Sequence, residues 1–250
     1  MYGPAGSEQA VRKMMMLDEA PKWHIYLVAG VASTPTIFDE CKRELKHRFH
    51  EAGRDPVIRE LLPYGDHTQS MVRQIIQVGV DLTRFWISHR PGGRAVAAQV
   101  RELSAGHPVL FIGHSGGGVA AYRAALLLNR EGILPDCRII QVGSPKTPIR
   151  RDLREKVSYF QAVDEDGILK DPITRLGSWG GWSRNKLGVP FWNRLKHAPG
   201  HLGTITVLGG HPHYFRSKEP YLHPQRGSNL SLTLDRIWER VAMEAVELNT

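Results

Sequence analysis

From Lys22 onward the chain alternates two kinds of segment, and this alternation restricts the folds open to it more than any other feature. One kind is short and apolar: WHIYLVAGV (23–31), PVIRELLPY (56–64), HPVLFIGH (107–114), CRIIQVGS (137–144), VSYFQAVD (157–164) and TITVLGG (204–210). Runs rich in Val, Ile, Leu and aromatics, bounded by turn residues, are strand signals. The other kind, residues 36–52, 68–86, 92–105, 116–131 and 230–248, is longer and repeats apolar residues every three or four positions, as in Val96, Val100 and Leu103, or Ile237, Val241 and Ala245. That is the period of a helix with one buried face.

An unbroken run such as VLFI suits a strand covered on both faces, and strands alternating with helices pair in parallel. The expected fold is therefore α/β: a doubly wound, mostly parallel sheet of about six strands with helices on both faces. A chain of 250 residues is within reach of one core. The expected organisation is a flexible lead-in over 1–21 followed by a single domain over 22–250. One stretch breaks the rhythm: residues 167–203 are much longer than an ordinary connection and hold three of the six tryptophans, which marks them as a functional or a disordered segment.

The lead-in offers only MMML as an apolar stretch, too short for a secretory signal, and no run of 18 apolar residues occurs elsewhere; the default expectation is a cytoplasmic protein. Cys41 and Cys137 are too few and too far apart for a disulfide framework or a zinc site, so they read as free thiols in a reducing compartment. The net charge of +8 is dispersed through CKRELKHR (41–48), PIRRDLREK (148–156) and WSRNKLGVPFWNRLK (182–196), with acids interleaved in the first two. With no recognised module or aromatic platform beside it, this charge reads as solvated surface, and no nucleic-acid partner is expected.

The chemistry concentrates in VLFIGHSGGGVAAYRAALLL (109–128), where Gly113, Ser115 and Gly117 fit G-x-S-x-G. The pattern alone recurs by chance. Its setting, an apolar strand before and a helix after, is the one a nucleophile elbow needs, in which the serine is strained and the glycines keep strand and helix from colliding. The glycines at 113, 116, 117 and 118 lack the spacing of a dinucleotide turn, and no Gly-Lys-Ser or Gly-Lys-Thr is present, so no nucleotide cofactor is expected.

A serine hydroxyl attacks only when a base takes its proton, and the base needs a carboxylate to fix its tautomer. Both follow Ser115 in the required order and at strand ends: Asp164, Glu165 and Asp166 after VSYFQAV, and His211 and His213 after TITVLGG. A metal-dependent alternative finds two histidines four apart in HAPGH (197–201), but Pro199 and Gly200 lie between them and no HExxH or Cys cluster occurs; no metal is expected.

With these residues the chain resembles the α/β-hydrolases, and among them the class 3 lipases and esterases, through GHSGGG, the VGSP at 142–145, the DGI acid turn and the HPHYF after the last strand. The resemblance spans about residues 23–249. Family members carry an Asp followed by Pro and Val, and a His-x-x-Tyr. On this sequence the acid falls on Asp166, with Gly167 and Ile168 in the following places, and the base on His211, with Tyr214 three residues on. Asp164 and His213 stand in reserve. The oxyanion donors would be the N–H of Gly116, just after the nucleophile, and by the resemblance that of Val31, with Ala32 as the alternative.

The expected activity is cleavage of a carboxylic ester or lipid by a Ser115, His211, Asp166 triad through an acyl-serine, with no cofactor. An acyltransferase or thioesterase would use the same triad, and an inactive binding protein would keep only the fold. Residues 167–203 lie between the acid and the histidine, where the resemblance to hydrolases implies a lid-like insertion, and their Trp179, Trp182, Phe191 and Trp192 among Arg175, Arg184, Lys186, Arg194 and Lys196 suggest contact with a membrane surface, or else aromatics that cap the core.

Overall fold

A computed structural model of the chain describes residues 22–31, 36–64, 91–104, 106–134 and 136–247. The expected lead-in at 1–21 and the helix expected over 68–86 lie outside them. Six strands, β1 (His24–Val28), β2 (Val57–Leu61), β3 (Val109–His114), β4 (Cys137–Val142), β5 (Val157–Val163) and β8 (His201–Thr206), form one sheet in the order β2-β1-β3-β4-β5-β8. Every neighbouring pair is parallel. Two further strands, β6 (Gly181–Arg184) and β7 (Pro190–Asn193), pair antiparallel only with each other.

Helices α1 (Asp39–Glu51) and α4 (Asn229–Glu247) cover one face, and α2 (Pro91–Leu103) and α3 (Gly116–Arg130) the other. The period of two along β1 divides its side chains between these layers. Ile25 and Leu27 join Leu45, Phe49, Leu234 and Ile237 on the first face, while Tyr26 and Val28 join Val96, Val100 and Ala121 on the second. All five residues of β1 and all six of β3 are buried, as the continuous apolar runs require. The architecture is α/β and doubly wound, with the β3-turn-α3 unit that carries Ser115 at its centre.

Helix α3 is built from Ala and Leu, which lose little side-chain entropy in a helix, and it is buried along most of its length. It ends where Gly132, at φ 68, lets the chain turn left-handed. The last strand of the sheet departs from expectation. It begins at His201 rather than Thr204 and stops at Thr206, because an edge strand with alternating exposed positions carries a weaker apolar signal at its start. Residues 207–210 instead form the turn that delivers His211. Cys41 and Cys137 are both buried free thiols, and no helix among the described residues is long and apolar enough to cross a membrane.

Candidate active site

Ser115 is the one non-glycine residue at positive φ among those described, with φ 56 and ψ −131. It sits between the end of β3 and the first turn of α3, so the strain falls where the parallel sheet presents its carboxyl end. The glycines around it answer to distance. A Cβ on Gly113 would lie 2.4 Å from the Cα of Gly118, and one on Gly117 would lie 2.0 Å from the carbonyl oxygen of Val28 on the neighbouring strand. Neither obstacle is a side chain that could swing away.

His211 follows β8 in a short 3-10 turn, His211–His213. Its Nε2 is 2.9 Å from Ser115 Oγ, and its Nδ1 is 2.9 Å and 3.0 Å from the two carboxylate oxygens of Asp171. A carboxylate only accepts, so Nδ1 carries the proton, and Nε2 is left to accept from the serine hydroxyl. His213 is turned elsewhere: its Nδ1 accepts from Gly210 N–H at 3.0 Å and its ring stacks on Tyr221.

The carboxylate that meets His211 is that of Asp171, not the expected Asp166, and the reserve candidate Asp164 does not reach the histidine either. After β5 the Asp164 carboxylate accepts from the N–H groups of Asp166 and Ile168 and pairs with Lys170 at 3.0 Å, closing a tight turn. The chain then folds back, with Leu169 bridging to Val163 and Lys170 N–H donating to Ala162. Asp166 is exposed at the tip of this turn, and Asp171, fully buried, stands at the end of the returning arm. The signal was present in the sequence: Asp171, Pro172 and Ile173 match Asp followed by Pro and a β-branched residue better than Asp166 with Gly167 and Ile168.

Three donors bond that carboxylate. Besides His211, the Tyr214 hydroxyl donates at 2.8 Å and Ile173 N–H at 2.9 Å, and Tyr214 Oη in turn accepts from Ala162 N–H at 2.7 Å. Burial pushes the Asp171 pKa up, but the bond to His211, its charge, and the bonds from Tyr214 and Ile173 outweigh it and hold the group below its ordinary value. Gly143, from the Gly-Ser-Pro after β4, makes room: at φ 59, a Cβ there would lie 2.7 Å from Asp171 Oδ2 and 2.6 Å from the Tyr214 ring.

The other imidazole in the motif, His114, is buried against the His211 ring with centroids 4.9 Å apart, and its Nε2 donates to the His211 carbonyl at 3.0 Å. Burial, followed by the neighbouring His211, drives its pKa down to about 4. It stays neutral at pH 7 beneath the His211 ring.

Of the expected oxyanion donors, Gly116 opens α3, where backbone N–H groups lack helical partners. Gly30 packs against it, since a Cβ on Gly30 would lie 2.7 Å from Ser115 Cβ and 3.1 Å from Gly116 N. Val31 follows directly, half-buried; Ala32 lies outside the described residues. Among the described residues no three His, Cys, Asp or Glu side chains gather as a metal site requires.

No protein-family model and no curated protein sequence matches the chain significantly. Among solved structures it is similar to RedJ, a thioesterase from the prodiginine biosynthetic pathway in Streptomyces coelicolor, with a TM-score of 0.47 and 14% identity over 90% of this chain and 91% of that one. It is also similar to YbtT, a type II thioesterase from the yersiniabactin NRPS/PKS pathway, with a TM-score of 0.41 and 11% identity over 78% of this chain and 88% of that one. At those values the likeness assigns neither a family nor an activity.

Proposed function

We propose that the chain is a serine hydrolase that cleaves carboxylic esters through an acyl-serine intermediate. The observation that carries this reading is the continuous hydrogen-bonded line from Ser115 Oγ through both nitrogens of His211 to the buried Asp171 carboxylate. A structural serine needs neither positive φ nor a base at 2.9 Å.

In the proposed reaction Ser115 Oγ attacks the acyl carbonyl carbon as its proton passes to His211 Nε2. The carbonyl electron pair moves onto oxygen, where the N–H groups of Gly116 and Val31 stabilise it. Collapse of that intermediate expels the alcohol, which takes the proton from His211, and leaves the acyl group on Ser115. Water then repeats the cycle, releasing the acid and the free serine. Asp171 keeps the Nδ1 proton in place and stabilises the imidazolium without taking the proton itself. GHSGGG and the Gly-Ser-Pro at 143–145 support a lipase- or esterase-like member of the α/β-hydrolases.

Two experiments test this reading. A fluorophosphonate should label the wild-type chain and leave Ser115→Ala unlabelled; an unlabelled wild type would contradict it. A panel of p-nitrophenyl esters of increasing acyl length, run beside thioesters of the same acyl groups, should show turnover of the oxygen esters. Turnover of the thioesters alone would move the assignment to a thioesterase, and accumulation of a new ester with added alcohol would move it to an acyltransferase.

A further inference from the structure

The insertion after the acid holds two populations of aromatic residue. Trp179 is buried, meets Tyr159 edge to face and has Lys146 over its ring; it caps the core. The hairpin of β6 and β7 does the opposite. Its strands pair with no other strand, and it exposes Trp182 (65%), Leu187 (87%), Val189 (54%), Phe191 (45%) and Trp192 (50%) to solvent.

Such a finger is organised by its own contacts. Trp182 and Trp192 are directly opposed in the register and pack edge to face at 5.7 Å, on the same face as Arg184 and Pro190, while Phe191 lies on the other face opposite Ser183. Trp192 rests on Gly180, where a Cβ would come within 2.4 Å of its ring. At the tip, Asn185 Oδ1 accepts from the N–H groups of Leu187 and Val189, and Asn185 exchanges backbone bonds with Val189 and Gly188. Leu187 and Val189 are therefore held outward in water by a fixed turn. Nothing within the hairpin buries them.

The charge beside these side chains has one sign. No Asp or Glu occurs between Asp171 and Glu219. Arg184, Lys186, Arg194 and Lys196 are exposed around the hairpin, and the Lys196 ammonium donates to the Trp182 carbonyl. Apolar groups on both faces and at the tip of a two-stranded finger do not make the flat patch of several hundred Å² that a protein partner needs. They suit immersion in a lipid interface, where indole rings sit at headgroup level and flanking cations meet anionic phosphates.

We propose that the β6–β7 hairpin is a membrane-docking element: Leu187, Val189, Phe191 and the Trp182–Trp192 pair enter the interface of an anionic bilayer, and Arg184, Lys186 and Arg194 bind its lipid phosphates. This goes beyond the proposed esterase chemistry and does not depend on it.

The test is co-sedimentation of the full chain with vesicles of phosphatidylcholine alone and of phosphatidylcholine with 30 mol% phosphatidylglycerol, a fraction of about a third chosen as a strongly anionic surface. Binding is expected to the anionic vesicles only, and to fall at least tenfold, on the order of 1.4 kcal/mol, in Leu187→Asp and in Arg184→Glu with Lys186→Glu. It should also fall with added salt for the wild type. Both variants should keep the wild-type circular dichroism and the wild-type rate on a short soluble ester, because no hairpin residue belongs to the triad. Failure of the wild type to bind anionic vesicles would overturn the proposal and leave an acidic protein surface as the hairpin's partner. Binding unchanged by either variant would overturn it equally.

Discussion

Asp171 and Tyr214 are joined by a buried hydrogen bond of 2.8 Å on the side of the carboxylate away from Ile173 N–H. The acid is thus locked from more than one direction before the histidine meets it. Tyr214→Phe removes a donor to Asp171 and also leaves Ala162 N–H, which gives its proton to Tyr214 Oη, buried without a partner. Each lost bond of this kind costs about 1 to 3 kcal/mol. The variant is expected to unfold at a lower urea midpoint and to lose kcat with little change in KM, since the tyrosine acts on the triad and not on substrate. Steady-state kinetics and denaturation on the same preparation check both.

His114 gives the protein an acid-sensitive element. Its native pKa is driven down to about 4 from an ordinary 6.5, so in this interval the unfolded chain binds more protons than the folded one, and stability falls as pH drops. The contribution is fully present above the unfolded value and is lost progressively toward 4, on the order of 3 kcal/mol in all and about 2 kcal/mol between pH 7 and pH 5. His114→Phe keeps a ring on His211 without a titrating group. It is expected to be less stable than wild type at pH 7, where the bond to the His211 carbonyl is missing, but to lose about 2 kcal/mol less on going to pH 5. Urea unfolding at the two pH values measures the difference; identical pH dependence in both chains would contradict the assignment.

Gly143 is expected to resist any side chain. At φ 59 a Cβ would press on Asp171 Oδ2 and the Tyr214 ring, so Gly143→Ala combines left-handed strain with a clash at the acid. The expected result is a loss of 1 to 3 kcal/mol, the usual range of about that size for overpacking, together with a fall in kcat/KM larger than that of an exposed control such as Gly188→Ala, where nothing lies within 4 Å. Thermal unfolding and ester turnover of the two variants check it.

Much of this was readable from the chain because the relevant forces are local. The apolar runs at 107–114 and 137–144 and the helical period at 116–131 follow from burial on one or both faces, and each contains an element of the expected type, Val109–His114, Cys137–Val142 and Gly116–Arg130. The elbow was legible because strain and close approach demand glycine at fixed offsets from Ser115. The acid was not legible by counting from the strand end. Asp164 spends its carboxylate on a turn, and the fold-back of residues 168–170 carries the chain on to Asp171, whose Asp-Pro-Ile sequence was the signal that counting passed over. The dual nature of residues 167–203 was equally hidden, because Trp179 and Trp182 are three apart and alike in composition, yet one faces Tyr159 and the other faces water.

The central claim is that Ser115 is activated by a histidine held by Asp171. Its most direct test is kcat/KM on p-nitrophenyl butyrate for Asp171→Asn and Asp166→Asn side by side. Asp171→Asn should lose roughly a thousandfold or more, since an amide in that place can donate to Nδ1 and turn the ring to the wrong tautomer, while Asp166→Asn should stay within about twofold of wild type, as for an exposed turn residue. A variant at 166 that falls as far as the variant at 171, or a variant at 171 that keeps wild-type turnover, would contradict the account.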